Sequence, residues 1–311
     1  MKQRNKFVII GTVLAGVVLA FALFGSVAHV AHVAAPEATV NSVEHWEYTL
    51  FNMHEFVMSQ GGFAAPTVIA ELDRLGGEGW QFAGSYQAYW IFESSAERWV
   101  YTLFNYHEFG MSQGGFGTPD IWDTVTAELN RLGSEGWQFA DAYGTHWIFK
   151  SSVGSAERWE YTLFNVREFG MSQGGFGTPD IWDTVLAELN RLGNEGWRFA
   201  GTYHTHLIFK NSAERWEYTW FDPRMNQEEL NRLGSEGWQF AGIGTDVQHL
   251  ISKRSAGSAE RWEQKWLNPY DFSLDAFIAE LNRLGSEGWR FVDGGFTMSF
   301  PRSMAFKRRL P

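Results

Sequence analysis

Between residues 159 and 164 apolar and polar positions alternate, with Trp159, Tyr161 and Leu163 on one side of an extended chain and Glu160 and Thr162 on the other. A period of two predicts a half-buried strand. After a Gly-rich stretch, Thr178-Pro179 reads as the N-cap and first-turn proline of a helix. Trp182, Val185, Leu189 and Leu192 then recur at helical spacing as one apolar stripe. Gly193 predicts the helix end and Gly196 a second tight bend. Trp197-Arg198-Phe199 opens a second strand, and residues 206–210 (His-Leu-Ile-Phe-Lys) make a third. The predicted unit is β-α-β-β.

The phrase Arg-Leu-Gly-x-Glu-Gly-Trp occurs five times, ending at Trp80, Trp137, Trp197, Trp238 and Trp289. Each copy follows an aromatic run opening at Trp46, Trp99, Trp159, Trp216 or Trp262. The chain therefore reads as an array of small modules, over 46–98, 99–158, 159–215, 216–261 and 262–311. The helical stripe must be covered, so one helix packs on one face of each three-stranded sheet. Trp147, Ile148 and Phe149 are apolar in succession, which places the third strand centrally, in the antiparallel order 1-3-2. The fold class is α+β. Units of ~50 residues are marginal alone, and linkers such as Ser212-Ala-Glu-Arg215 are short, so neighbours should touch and form a rod or an arc.

Composition narrows the classes of function. Sixteen Trp and 26 Phe suffice for several compact cores. A net charge of −11 argues against a nucleic-acid partner, because phosphate-backbone affinity needs clustered Lys and Arg. The absence of cysteine excludes disulfides, thiolate metal sites and thiol nucleophiles.

At the N-terminus, Lys2, Arg4 and Lys6 precede 22 residues, 7–28, without a charge. As a helix that run is ~33 Å long, enough to cross a ~30 Å hydrocarbon core. Residues 26–28 (Ser-Val-Ala) resemble a small-x-small cleavage site, but the length favours a retained transmembrane anchor. Residues 1–6 would stay in the cytoplasm, and 29–45 would link the anchor to modules on the periplasmic or extracellular side of the cytoplasmic (inner) membrane. Gly11, Ala15, Gly16 and Ala20 have a small-xxx-small spacing suited to helix packing in the bilayer. His29 and His32 stand near the outer end, with Ala28 four residues before His32. That spacing resembles the A-x-x-x-H of bacterial light-harvesting polypeptides and raises pigment or haem ligation, against the plainer reading of two polar helix-end groups. No cofactor is expected.

The pattern W-E-Y…L-N-R-L-G-x-E-G-W…F-K resembles a bacterial family of small domains of unknown function, normally a single copy of about fifty residues. The resemblance covers nearly all of 46–311 and implies the module fold but no reaction. Repeat 5 departs from it at Trp262-Glu-Gln-Lys, where Tyr is lost, and repeats 4 and 5 lack a long loop. They read as capping or differently engaged units.

Repeats 1–3 share the loop core Met-Ser-Gln-Gly-Gly-Phe, and residues 108–125 are identical to 168–185. Recent duplication explains the identity. The flexible tip also offers a partner-binding surface at Met58, Gln60 and Phe63, at Met111, Gln113 and Phe116, and at Met171, Gln173 and Phe176. The recurring Glu78, Glu135, Glu195, Glu236 and Glu287 are expected to pair with the Arg of the same repeat rather than act as acids. His204 and His206 at i, i+2 have a spacing compatible with a metal but lack a third ligand, so no metal site is expected. No nucleophile arrangement is evident, and no catalytic residue is expected. The function expected is a non-catalytic, membrane-anchored scaffold or accessory subunit, bound to the bilayer through 7–28, whose array bridges membrane protein subunits of a larger complex. Energy-transducing complexes, including a photosynthetic one, are candidates for that larger complex, and a glycan-binding envelope module is the alternative.

Overall fold

The structure, a computed structural model, describes residues 45–118, 120–177, 180–221, 227–243, 250–293 and 304–310. The expected anchor, with Gly11, Ala15, Gly16, Ala20, His29 and His32, lies outside the described residues, as do Thr178 and Pro179. Among the described residues no helix is long and apolar enough to cross a membrane.

Module 1 runs β1 (Tyr48–Asn52), α1 (Met53–Ser59), α2 (Ala65–Gly77), β2 (Trp80–Tyr86) and β3 (Tyr89–Ser94). Module 2 repeats the order as β4 (Trp99–Asn105), α3 (Tyr106–Ser112), α4 (Ile121–Ser134), β5 (Gln138–Tyr143) and β6 (His146–Ser152). Module 3 has β7 (Tyr161–Asn165), α5 (Val166–Ser172), α6 (Ile181–Asn194), β8 (Trp197–Tyr203) and β9 (His206–Asn211). Module 4 comprises β10 (Trp216–Phe221), α7 (Gln227–Ser235), β11 (Gln239–Ile243) and β12 (Leu250–Ser255). Module 5 comprises β13 (Trp262–Leu267), a 3₁₀ turn (Pro269–Asp271), α8 (Leu274–Ser286), β14 (Arg290–Asp293) and β15 (Met304–Arg309). Each sheet is three-stranded and antiparallel, with the third strand in the middle, the order read from the pattern.

Three local readings change. The stretch following the first strand in modules 1–3 is not all loop: a seven-residue helix forms there, started by Asn52, Asn105 or Asn165, whose side chain accepts from the backbone N–H three residues on. Helix α6 starts at Ile181, after Asp180 in a left-handed conformation. Gly193 lies inside that helix rather than ending it, for a reason found in the next module. A side chain there would collide with the Trp216 carbonyl oxygen.

The same close approach places Gly76 on Trp99, Gly133 on Trp159, Gly234 on Trp262 and Gly285 on Trp46. The last pair overturns the rod or arc. The array closes, with Trp46 N–H donating to the Gly285 carbonyl at 3.0 Å. Module 1 thus stands beside module 5, and repeats 4 and 5 are not caps. Each sheet has two apolar faces, and closure covers both of them in every module. One face packs on its own module's helix and the other on the helix of the module before it. The core of module 1 (Leu72, Leu75, Phe82, Phe92) continues into Tyr101 and Ile148 of module 2. Phe277, Leu281 and Leu284 of α8 continue into Tyr48 and Ile91 of module 1. An open stack would leave α8 and the Ile91 face bare, at a cost of ~25 cal/mol for each Å² of apolar surface.

Polar clasps repeat around the ring. Tyr101 O–H donates to the Trp80 carbonyl (3.2 Å) and accepts from Phe82 N–H (2.8 Å). Tyr161 bridges Trp137 and Phe139, Tyr218 bridges Trp197 and Phe199, and Tyr48 bridges Trp289 and Phe291 in the same way. Module 5 lacks the tyrosine, and Gln264 takes its place: its amide donates to the Trp238 carbonyl (3.2 Å), and its oxygen accepts from Phe240 N–H. On the helices, Asn130, Asn190 and Asn282 each both accept from and donate to the backbone of the next module's Tyr.

Candidate functional site

The second strands β2, β5, β8, β11 and β14 contact one another in a closed circuit and line the inside of the ring. Beside them, the third strands carry one equivalent position each: Glu93, Lys150, Lys210, Lys253 and Lys307, facing Gln81, Gln138, Arg198, Gln239 and Arg290 across the sheet. These strand positions share a face with Ile91, Ile148, Ile208 and Ile251, two residues earlier in the first four modules. Alternation therefore drives the charges inward with the core. A chain of net charge −11 thus gathers four Lys and two Arg at its centre against one carboxylate in these positions.

Their partners differ. Arg290 donates to Glu93 through Nη2 at 2.7 Å, and Glu93 is 2% exposed. Lys150 donates to the Phe82 carbonyl at 2.8 Å, Lys253 to the Phe199 carbonyl at 3.2 Å, and Lys307 to the Gln239 side-chain oxygen. Lys210, 7% exposed, has no hydrogen-bond acceptor among the described residues, and its ammonium lies 4.0 Å from the Trp159 ring centre. The Trp that opens each repeat supplies such a face throughout: Arg290 on Trp46, Lys150 on Trp99, Arg198 on Trp216 and Lys307 on Trp262, at 4.6, 5.4, 4.7 and 4.8 Å. A cation over an indole recovers about 0.5–2 kcal/mol, less than a buried ion loses in hydration.

Burial and mutual repulsion disfavour the charged forms. Burial pushes Lys210 down to about 7, with Arg198 and Lys150 adding to it and Glu157 opposing. Lys307 falls to about 7 by burial and by Arg290 and Arg198, against Glu260 and Glu93. Lys150 is lowered to about 8, chiefly by burial, with Glu93 opposing. Lys253 sits well below the usual lysine range, through burial and then Arg198, Lys307 and Lys210. Arg198 is also lowered by burial, with Glu214 opposing.

A cleft of about 390 Å³ opens on this cluster between two linkers, lined by Glu157, Arg158, Trp159, Arg198, Lys210, Asn211, Ser212, Ala213 and Glu214. Glu157 and Glu214 are exposed at its rim, whereas Lys210 is buried.

The sequence-predicted partner-binding residues lie elsewhere, at the ends of the short helices. Met58, Met111 and Met171 are 66%, 58% and 64% exposed. Gln60, Gln113 and Gln173 are exposed, each donating to the preceding Ser hydroxyl. Phe63 and Phe176 are 39% and 42% exposed, and Phe116 is half-buried. Phe116 lies over Gly110 and packs 5.4 Å from Tyr106 and 5.9 Å from Trp122, and Phe176 packs 5.4 Å from Trp182. Phe63 is 4.4 Å from the His146 ring of the next module.

Each recurrent Glu pairs with its own Arg: Arg74 with Glu78 at 2.6 Å, then Arg131–Glu135, Arg191–Glu195, Arg232–Glu236 and Arg283–Glu287. His204 and His206 do not share a strand face. His204 sits in the turn at positive φ, while His206 is buried against Trp122 at 3.7 Å. Among the described residues no three His, Asp or Glu side chains gather as a metal site.

Sequence reasoning missed the cationic centre. Its signal was present as Lys at the same place in four of five third strands, two residues after Ile in three of them and after Ala305 in the fourth. Compared with protein-family models, with curated proteins and with solved structures, the chain returns no match.

Proposed function

We propose that the protein is a non-catalytic, membrane-anchored scaffold or accessory subunit, whose ring is held outside the cytoplasmic membrane and binds the subunits of a larger membrane assembly. The observation that carries this reading is the triple exposure of Met58, Met111 and Met171 on three consecutive modules. Methionine is flexible and polarisable and suits an adaptable contact surface. Three copies on one closed frame supply avidity without new contacts. Modules 4 and 5 lack the tip, so the proposed surface covers one sector of the ring. A sugar-stacking role is less well supported, because the Trp residues that open the repeats are engaged by Lys and Arg or buried between modules.

The test is isolation of the chain from its native membrane in mild detergent, with mass spectrometry of what accompanies it. A stoichiometric set of membrane subunits is expected, lost when Met58, Met111 and Met171 are all changed to Ser. A chain that elutes alone, or with wall fragments, sinks the scaffold.

A further inference from the structure

We propose that the cationic centre of the ring is a binding site for a phosphate group, entered through the cleft at Lys210 and Arg198. The inference is independent of the scaffold reading and rests on four observations. First, the centre gathers more basic groups than carboxylates: Glu93 is engaged by Arg290, and Lys150, Lys253 and Lys307 lean on uncharged oxygens. A buried cation without a counter-charge is costly, which is why these lysines are held toward their neutral forms; an anion would supply the counter-charge that keeps them protonated.

Second, Lys210 is more than nine-tenths buried, lines the cleft and has no hydrogen-bond acceptor among the described residues. The N–H donors that do not face the Trp159 ring are left to a ligand. Third, module 3 replaces the Gln found at 81, 138 and 239 with Arg198, and that guanidinium lines the same cleft, backed by Trp216. A planar fork of donors beside a point ammonium suits a tetrahedral oxyanion carrying two charges; a single carboxylate would satisfy less of both.

Fourth, the cleft volume is about 390 Å³, within the ~300–1,000 Å³ of small-ligand sites. That leaves room for a phosphate with a small organic group or a second phosphate. Glu157 and Glu214 occupy the exposed rim, where water and salt screen them, and the floor they surround is cationic. Filling the floor would favour the charged forms of Lys210, Lys307 and Lys150, so binding is expected to take up protons near neutral pH.

The experiment is thermal unfolding of the full chain in detergent, followed by tryptophan fluorescence, with inorganic phosphate, pyrophosphate or glycerol phosphate titrated at ionic strength held constant with NaCl. A saturable rise of several degrees is expected with at least one of them. The organic ester binding best would assign an organic phosphate, and either inorganic probe binding best a free one. Lys210→Met is expected to raise the melting temperature without anion and to abolish the rise with it. Arg198→Gln, which restores the residue of three other modules, is expected to weaken binding at least tenfold while leaving the fold intact. An equal rise with NaCl alone, no saturable rise with any probe, or an undiminished response in both variants overturns the site.

Discussion

The N–H of Trp46 bonds to the carbonyl of Gly285 at 3.0 Å, joining the start of the first module to the last turn of the fifth module's helix. Because a Cβ at 285 would strike the Trp46 carbonyl, Gly285→Ala must push the two modules apart. A loss of about 3 kcal/mol is expected. Gly77→Ala, also in a helix but facing open space, should leave stability unchanged or raise it by up to ~1 kcal/mol. Urea denaturation of both variants checks this, and equal effects would mean that closure contributes little.

Glu93 occupies the position where four modules have Lys, so repeat consensus would favour Glu93→Lys. The structure predicts the opposite. The substitution removes the partner of Arg290 and adds a fifth lysine to the cluster. Breaking a buried pair costs about 3–5 kcal/mol; Arg290 is partly exposed, so about 2 kcal/mol is expected. Adding Arg290→Gln should recover part of the loss. If the double variant is no more stable than Glu93→Lys, the repulsion argument fails.

Gln264 stands where the other modules place a bridging tyrosine and satisfies the same two backbone groups, at Trp238 and Phe240. Gln264→Leu should therefore cost about as much as Tyr218→Phe, ~1–3 kcal/mol for each buried group left without a partner. A neutral Gln264→Leu in calorimetry would show that the carboxamide is merely tolerated.

Stability should follow pH with a maximum near 9–10. Lys210 and Lys307 are lowered to about 7 and Lys150 to about 8 from an unfolded value of 10.5. The unfolded chain therefore binds more protons between the two values, and stability rises with pH from about 7 to 10. Above ~10 the gain reverses. Tyr48, Tyr101, Tyr161 and Tyr218 are raised by burial, so they ionise first in the unfolded chain.

On the acid side, burial lowers His206 from 6.5 to about 4, and the stability it contributes is lost as pH falls through that window. Asp141, raised by burial, opposes this and makes the acid limb shallower. Melting temperature against pH should show the limb reduced in His206→Leu and the rise above pH 7 reduced in Lys210→Met. Unchanged slopes would remove these groups from the account.

The module itself was legible in the chain. Alternation at Trp159, Tyr161 and Leu163 marked a strand, the stripe Val185, Leu189 and Leu192 marked a helix, and the apolar run at Trp147 marked the central strand. These signals are local, since period and face depend on neighbours a few residues away. Gly193 looks locally like a helix end, but its cause is the Trp216 backbone, which local sequence does not specify. The helix that Asn105 starts is not evident in the sequence, because seven residues make only about two turns and repeat the helical period too few times to stand out from a Gly-rich stretch.

Sequence by itself determined which residues are apolar on which face, and hence five β-α-β-β units of known strand order. Tertiary structure alone decided that the units close, because closure depends on the turn from each module to the next, summed over five interfaces. Only closure turns a lysine repeated four times along the chain into one cationic cluster, since charges far apart in sequence repel only when brought within reach of each other.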